Sequence, residues 1–151
     1  MNLTEEAEIV EWPETHYVFV EKVGPFMKTA PEAWGQLHGQ VAGIEESNRI
    51  TGYFSLYKRG PNIYRAGVSV AEAPAALPKG LQYERFSGGK YSRFVLTGPY
   101  TQLPAASGRA WDIAAERKLP LRDGFAIESY LRDPRTTPAA ELVTEILLPM
   151  V

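Results

Sequence analysis

The chain contains no cysteine, which excludes disulfides, thiol nucleophiles and thiolate metal sites and leaves its redox compartment unmarked. It has only two histidines, His16 and His38, far apart and without carboxylate-rich metal spacing, so neither a metal nor a cofactor is expected. An excess of positive charge is also missing. Sixteen Lys and Arg stand against eighteen Asp and Glu, a formal charge of -2, so nothing in the overall charge favours direct binding of nucleic acid. No apolar run approaches the ~18 residues of a membrane span. Residues 1–8 lack the basic start and apolar stretch of a secretory signal, so no membrane partner is expected and the expected location is cytoplasmic. Ser87-Gly88-Gly89-Lys90 lacks the full glycine spacing of a phosphate loop and is followed by Tyr91, and no Gly-x-Ser-x-Gly elbow occurs.

What is present fits one ordinary globular domain over 1–151, with 44% hydrophobic and 23% charged residues. Strand-like passages at Glu8–Trp12 and His16–Val23, separated by Pro13-Glu14-Thr15, predict a hairpin. After Gly24-Pro25, Thr29-Ala30-Pro31-Glu32 predicts a helix start, with Ala30, Ala33, Trp34, Leu37 and Val41 at helical spacing and Gly43 as the stop. Strands are predicted over Gly52–Lys58 and Ile63–Val70. The Pro- and Ala-rich stretch 71–80 reads as a connector. The same order then recurs. A hairpin of Leu81–Phe86 and Tyr91–Leu96 leads to Gly98-Pro99-Tyr100 and a helix opened by Pro104, with Leu103, Ala106, Ala110, Ile113 and Ala114 on one stripe. Strands Phe125–Arg132 and Leu142–Leu148 follow.

A shift of 74 positions lays Gly24-Pro25-Phe26 on Gly98-Pro99-Tyr100, Tyr17 on Tyr91 and Trp12 on Phe86. Chance gives a match at roughly one position in fifteen, so the inference rests on the shared order of elements rather than on identities. The expected fold is α+β. Two pseudo-two-fold β-β-α-β-β units, about 1–72 and 80–151, would form an antiparallel sheet with two helices on one face and a ligand groove between the repeats.

On the same shift Phe54 falls on Glu128, placing a carboxylate where its twin has a ring, with Tyr130 on the same strand face as Glu128. If that face is enclosed, desolvation raises the acid's pKa and makes Glu128 a functional candidate. If it faces water, Glu128 is a solvated strand acid or pairs with a neighbouring Lys or Arg. Glu145 on the last strand is either a second acid near the first or a solvated one. Trp34, Trp111, Tyr100 and Tyr130 offer flat rings for a ligand, with core packing the alternative for each Trp. Trp111 lies off the apolar stripe of its helix.

The Gly-Pro-aromatic turn before each helix, the run Ile127-Glu128-Ser129-Tyr130-Leu131-Arg132-Asp133-Pro134 and the closing Thr144-Glu145-Ile146-Leu147-Leu148-Pro149 together resemble the gyrase-inhibitor-like, or AraC-type effector-binding, small-molecule-binding domain. The resemblance covers nearly the whole chain. It implies a duplicated strand-helix-strand-strand unit and a groove for bulky, often cationic aromatic compounds. It also implies that an acid at Glu128 neutralises them, with Tyr130 and Glu145 beside it and Trp111 and Phe54 placed more loosely. The sequence starts directly in the effector-like region, so a stand-alone member is expected rather than one fused to a helix-turn-helix reader.

Three functions follow as expectations. The first is a stand-alone binding or sequestering protein for a hydrophobic, cationic or aromatic small molecule. The second is a hydrolase that opens strained rings of alkylating natural products, with Glu128 activating or positioning water. The third is a protein-interaction module that inhibits gyrase or partners a separate regulator. A homodimer is left open.

Overall fold

The computed structural model describes all 151 residues. In chain order, β1 (Asn2–Leu3), β2 (Glu8–Trp12) and β3 (Thr15–Val23) lead into α1 (Phe26–His38) and the short α2 (Val41–Glu45), followed by β4 (Ile50–Lys58) and β5 (Ile63–Val70). After an irregular stretch come β6 (Gln82–Phe86) and β7 (Gly89–Thr97), a 3-10 turn at Tyr100–Gln102 and α3 (Leu103–Glu116). Then come β8 (Ala126–Tyr130), a second 3-10 turn at Ala139–Glu141, and β9 (Val143–Pro149). The fold is α+β and its strand pairings are antiparallel.

The chain divides into two compact units, one of Pro13–Gly88 and one of Met1–Trp12 with Gly89–Val151. In the first, β5 lies between β4 and β3, and β6 pairs with the other edge of β3. In the second, β9 lies between β8 and β7, while β1 and β2 share the remaining edge of β7. Neither predicted hairpin forms. The strand expected beside β3, β2, pairs with β7 instead, and β6, expected beside β7, pairs with β3. The repeat of elements is real, but its leading strands are exchanged, so the units break at 12/13 and 88/89 rather than in the connector. A Pro or Gly-Gly link marks where a strand ends. It does not specify which edge the strand then meets, because every strand edge offers the same backbone donors and acceptors.

Partly exposed ion pairs link the exchanged strands to their neighbours. In the first unit Arg65 of β5, with a side chain only 13% exposed, bonds Glu21 of β3 and Glu84 of β6, both at 2.8 Å, and its guanidinium covers the Phe19 ring at 4.4 Å. In the second, Arg93 of β7 bonds Glu145 of β9 at 2.9 Å and Glu8 of β2 at 2.5 Å.

The helices follow their sequence signals in part. All five residues of the stripe predicted for α3 are buried, a period-3.6 face laid on the sheet. α1 begins at Phe26, three residues before the start predicted at Thr29, directly after Pro25, and carries Pro31 inside it. The Thr29 hydroxyl, at the predicted helix start, donates back to the Pro25 carbonyl at 3.2 Å. The helix stops at His38 rather than Gly43, and α2 follows as a separate turn. Stretch 71–80 carries no helix or strand. Asn48 fastens it, donating to the Glu72 carbonyl at 2.7 Å and accepting from the Glu72 amide at 3.3 Å.

Each unit is organised about one buried tyrosine. Tyr17 donates to the Phe54 carbonyl at 2.8 Å, and Tyr91 donates to the Phe125 carbonyl at 2.9 Å. Both rings are fully buried, which pushes each phenol above its ordinary range. These hydroxyls escape the usual cost of burial because a backbone oxygen accepts each of them.

Candidate functional site

β8 carries Ala126-Ile127-Glu128-Ser129-Tyr130, and alternation sends Glu128 and Tyr130 to one side, Ile127 and Ser129 to the other. Across the ladder Glu128 lies opposite Ile146 and Tyr130 opposite Thr144. α3 covers this side of the sheet. Its Ser107 hydroxyl donates to Glu128 Oε2 at 2.8 Å, and the Tyr130 hydroxyl donates to Oε1 at 3.2 Å. Both partners are neutral. Burial raises the Glu128 carboxyl above the ordinary carboxylate range, and the hydrogen bonds from Ser107 and Tyr130 pull it back only in part.

One ring, Tyr130, touches the acid, and a second packs on it. Tyr100, from the 3-10 turn before α3, meets Tyr130 edge to face with centroids 5.4 Å apart. Burial, and to a lesser extent Asp133, raise the Tyr100 phenol. Trp111 is four residues after Ser107, one turn along the same face of α3, and half-buried. Thr144, opposite Tyr130, is fully buried and its hydroxyl has no hydrogen-bond partner, which leaves a polar atom on this face unsatisfied.

Other sequence candidates lie elsewhere. Glu145 is opposite Ser129, so it points to the far side of the sheet from Glu128, where Arg93 binds it. It is therefore not a second acid beside the first; one residue along a strand reverses the face. Trp34 lies on α1 in the other unit, donating its indole N–H to the Tyr64 hydroxyl at 2.7 Å and lying beside His38. Phe54 is buried in that unit's core, stacked on Tyr17 at 4.5 Å.

The alignment of Phe54 with Glu128 also needs correction. Val20 lies opposite Ala66, which lies opposite Ser55. Its counterpart Phe94 lies opposite Ile146, which lies opposite Glu128. The structural twin of Glu128 is thus the buried Ser55, and Phe54 matches Ile127. The cause is legible in the sequence: the stretch from Gly98 to Pro104 is one residue shorter than that from Gly24 to Pro31. Beyond that deletion Ser107 corresponds to Trp34 and Trp111 to His38. Ser107 itself was missed from sequence; its signal was a polar residue one turn before Trp111 on the same helix face.

No group of three or more His, Asp or Glu side chains is placed to hold a metal ion, and no helix is long and apolar enough to cross a membrane. What Glu128, Ser107, Tyr130 and Tyr100 offer is one desolvated acid, two hydroxyls and aromatic surface. Ser107→Ala is expected to raise the Glu128 pKa further, since it removes a bond that favours the carboxylate. Carboxyl-detected NMR titration reads this directly, and an unchanged or lowered pKa would refute the assignment.

The family model for a GyrI-like small-molecule-binding domain matches residues 5–151. The chain belongs to the GyrI-like family. Among solved structures, the C-terminal domain of EcmrR is 18% identical with a TM-score of 0.80, over 97% of this chain and 98% of that one. In the EcmrR–DNA complex the match covers 97% of this chain but only 58% of the EcmrR chain. SAV2435 bound to tetraphenylphosphonium is 13% identical with a TM-score of 0.75, over 97% of this chain and 94% of that one. A hydrolase from Listeria innocua is 14% identical with a TM-score of 0.63, over 96% and 91%. At these identities the likeness is one of fold. A comparison with curated proteins finds no match. As a GyrI-like domain the chain is a small-molecule-binding module.

Proposed function

We propose that this GyrI-like domain binds a lipophilic aromatic cation on the α3-covered side of its second unit. Glu128 supplies the negative charge, and Tyr130, Tyr100 and Trp111 supply ring surface. The observation that carries the reading is the partner set of Glu128: a desolvated carboxyl held by two neutral hydroxyls and by no cation of the protein's own. Burying an acid in this way is unfavourable unless something compensates its charge. A ligand cation does so, and aromatic faces attract the same cation through their quadrupoles. That SAV2435, a protein of similar fold, binds tetraphenylphosphonium supports the ligand class. The remaining sequence candidates, Glu145, Phe54 and Trp34, are not needed for this role.

Tetraphenylphosphonium and tetraphenylborate share size and shape and differ in the sign of their charge, so calorimetric titration with both at pH 8 isolates the electrostatic part. The phosphonium is expected to bind and the borate not to. Equal affinities would remove Glu128 from recognition.

A hydrolytic reading has one specific support. A carboxyl with a raised pKa, in contact with hydroxyls, suits proton transfer to or from water, and a Listeria innocua protein of similar fold is a hydrolase. Incubation with strained-ring alkylating compounds, followed by mass spectrometry, separates the two. A Glu128-dependent product heavier by one water establishes turnover, and recovery of unchanged compound leaves the binding role.

A further inference from the structure

We infer that the Glu128 site also takes a second ligand class: uncharged lipophilic molecules carrying one strong acceptor oxygen, bound by a hydrogen bond donated from the protonated carboxyl. The inference rests on the proposed location of the ligand site and adds to it.

The geometry of the two hydroxyls carries it. An acid held by Arg or Lys is fixed in its charged form, because those partners only donate. Ser107 and Tyr130 are different. Each hydroxyl both donates and accepts, and its proton turns to suit its neighbour. When Glu128 is ionised, Ser107 donates to Oε2 and Tyr130 to Oε1, as observed. When it is protonated, the oxygen that carries the proton becomes a donor while the other still accepts from one of the two hydroxyls. In the empty site both protonation states therefore keep their hydrogen bonds without moving a heavy atom, and when a ligand oxygen takes the acid proton the hydroxyl beside it turns back to donate to the carboxyl.

The groups facing Glu128 leave that choice to the ligand. α3 brings Ser107, its own strand brings Tyr130, and β9 brings Ile146. Tyr100 packs on Tyr130, and Asp133 acts on Tyr100, while no charged group shifts Glu128. Burial favours the neutral carboxyl and the hydroxyl bonds favour the charged one, so neither form is locked. A cation selects the carboxylate, and an acceptor oxygen selects the acid.

Triphenylphosphine oxide is the neutral probe and tetraphenylphosphonium the cationic one, each titrated against the full chain between pH 4.5 and 8. The affinity for the oxide is expected to fall as pH rises through the Glu128 pKa, approaching about tenfold per pH unit above it. The affinity for the phosphonium rises over the same interval. Glu128→Gln separates this from titration elsewhere, since its carboxamide donates at every pH: the variant should hold the oxide with a flat pH profile. An oxide affinity in the native protein that is flat with pH, no oxide binding at pH 4.5, or loss of oxide binding in Glu128→Gln would each overturn the inference. Failure of the phosphonium to bind, with oxide binding still tracking Glu128, would instead overturn the cation reading and leave this one standing.

Discussion

Glu128→Gln should weaken tetraphenylphosphonium binding at pH 8 by about thirty-fold or more, the equivalent of about 2 kcal/mol, a figure typical of truncating one partner of a desolvated charge pair. Gln keeps the size of the side chain and its bonding to Ser107 and Tyr130, so the loss measures charge. Tetraphenylborate should gain affinity or stay unchanged, because the variant removes a repulsion. An equal loss for both ions would mean that the substitution damages shape, and the electrostatic account would fail.

The same substitution should make the ligand-free protein more stable. The native-state pKa of Glu128 is raised above its unfolded value, so the proton binds more tightly to the folded chain. Its contribution to stability is therefore greatest below the unfolded pKa and is lost as pH rises through the folded one. Above its raised pKa native Glu128 is charged and poorly solvated, and Gln relieves that cost. Thermal melts should show the variant more stable at pH 8, with the gap closing toward pH 4. A variant less stable at pH 8 would show that the carboxylate is held by more than Ser107 and Tyr130. A site that opposes folding when empty is an instance of the common trade-off between stability and function.

Gly67→Ala is expected to destabilise the first unit by about 3 kcal/mol, the upper end of the range for overpacking. A Cβ at Gly67 would fall 2.3 Å from Tyr17 Cζ and 2.5 Å from its hydroxyl oxygen. Tyr17 cannot give way. Its ring stacks on Phe54 and on Phe19, with centroids 4.5 Å and 5.2 Å away, and its hydroxyl is committed to the Phe54 carbonyl. Pairing Gly67→Ala with Tyr17→Leu should recover part of the loss relative to the sum of the two single changes. A urea-unfolding change below about 1 kcal/mol for Gly67→Ala would mean that the Tyr17 stack is loose.

Much of the architecture could be read from side-chain periodicity. The α3 stripe, the irregular connector and the alternation that sets Glu128 and Tyr130 on one face all came from local pattern, which local structure obeys. The exchange of β2 and β6 did not, because pairing partners are chosen by the whole fold among edges that look alike from sequence. The mistaken pairing of Phe54 with Glu128 as repeat equivalents has a narrower origin. A single 74-residue shift was carried past a one-residue deletion between Gly98 and Pro104, and a period of two turns one residue into the opposite face. Glu145 illustrates the same rule: adjacent in sequence to Ile146, which does lie opposite Glu128, it points away and pairs with Arg93. Ser107, the closest partner of Glu128, became evident only when α3 was laid on the sheet.

The most direct test is the crystal structure of the protein with tetraphenylphosphonium. Phenyl groups are expected against Tyr130 and Tyr100, with phosphorus within about 6 Å of the Tyr130 ring, the range of a cation–π contact, and on the Glu128 side of it. A phosphonium seated away from Glu128, with the carboxyl still bonded only to Ser107 and Tyr130, would contradict it.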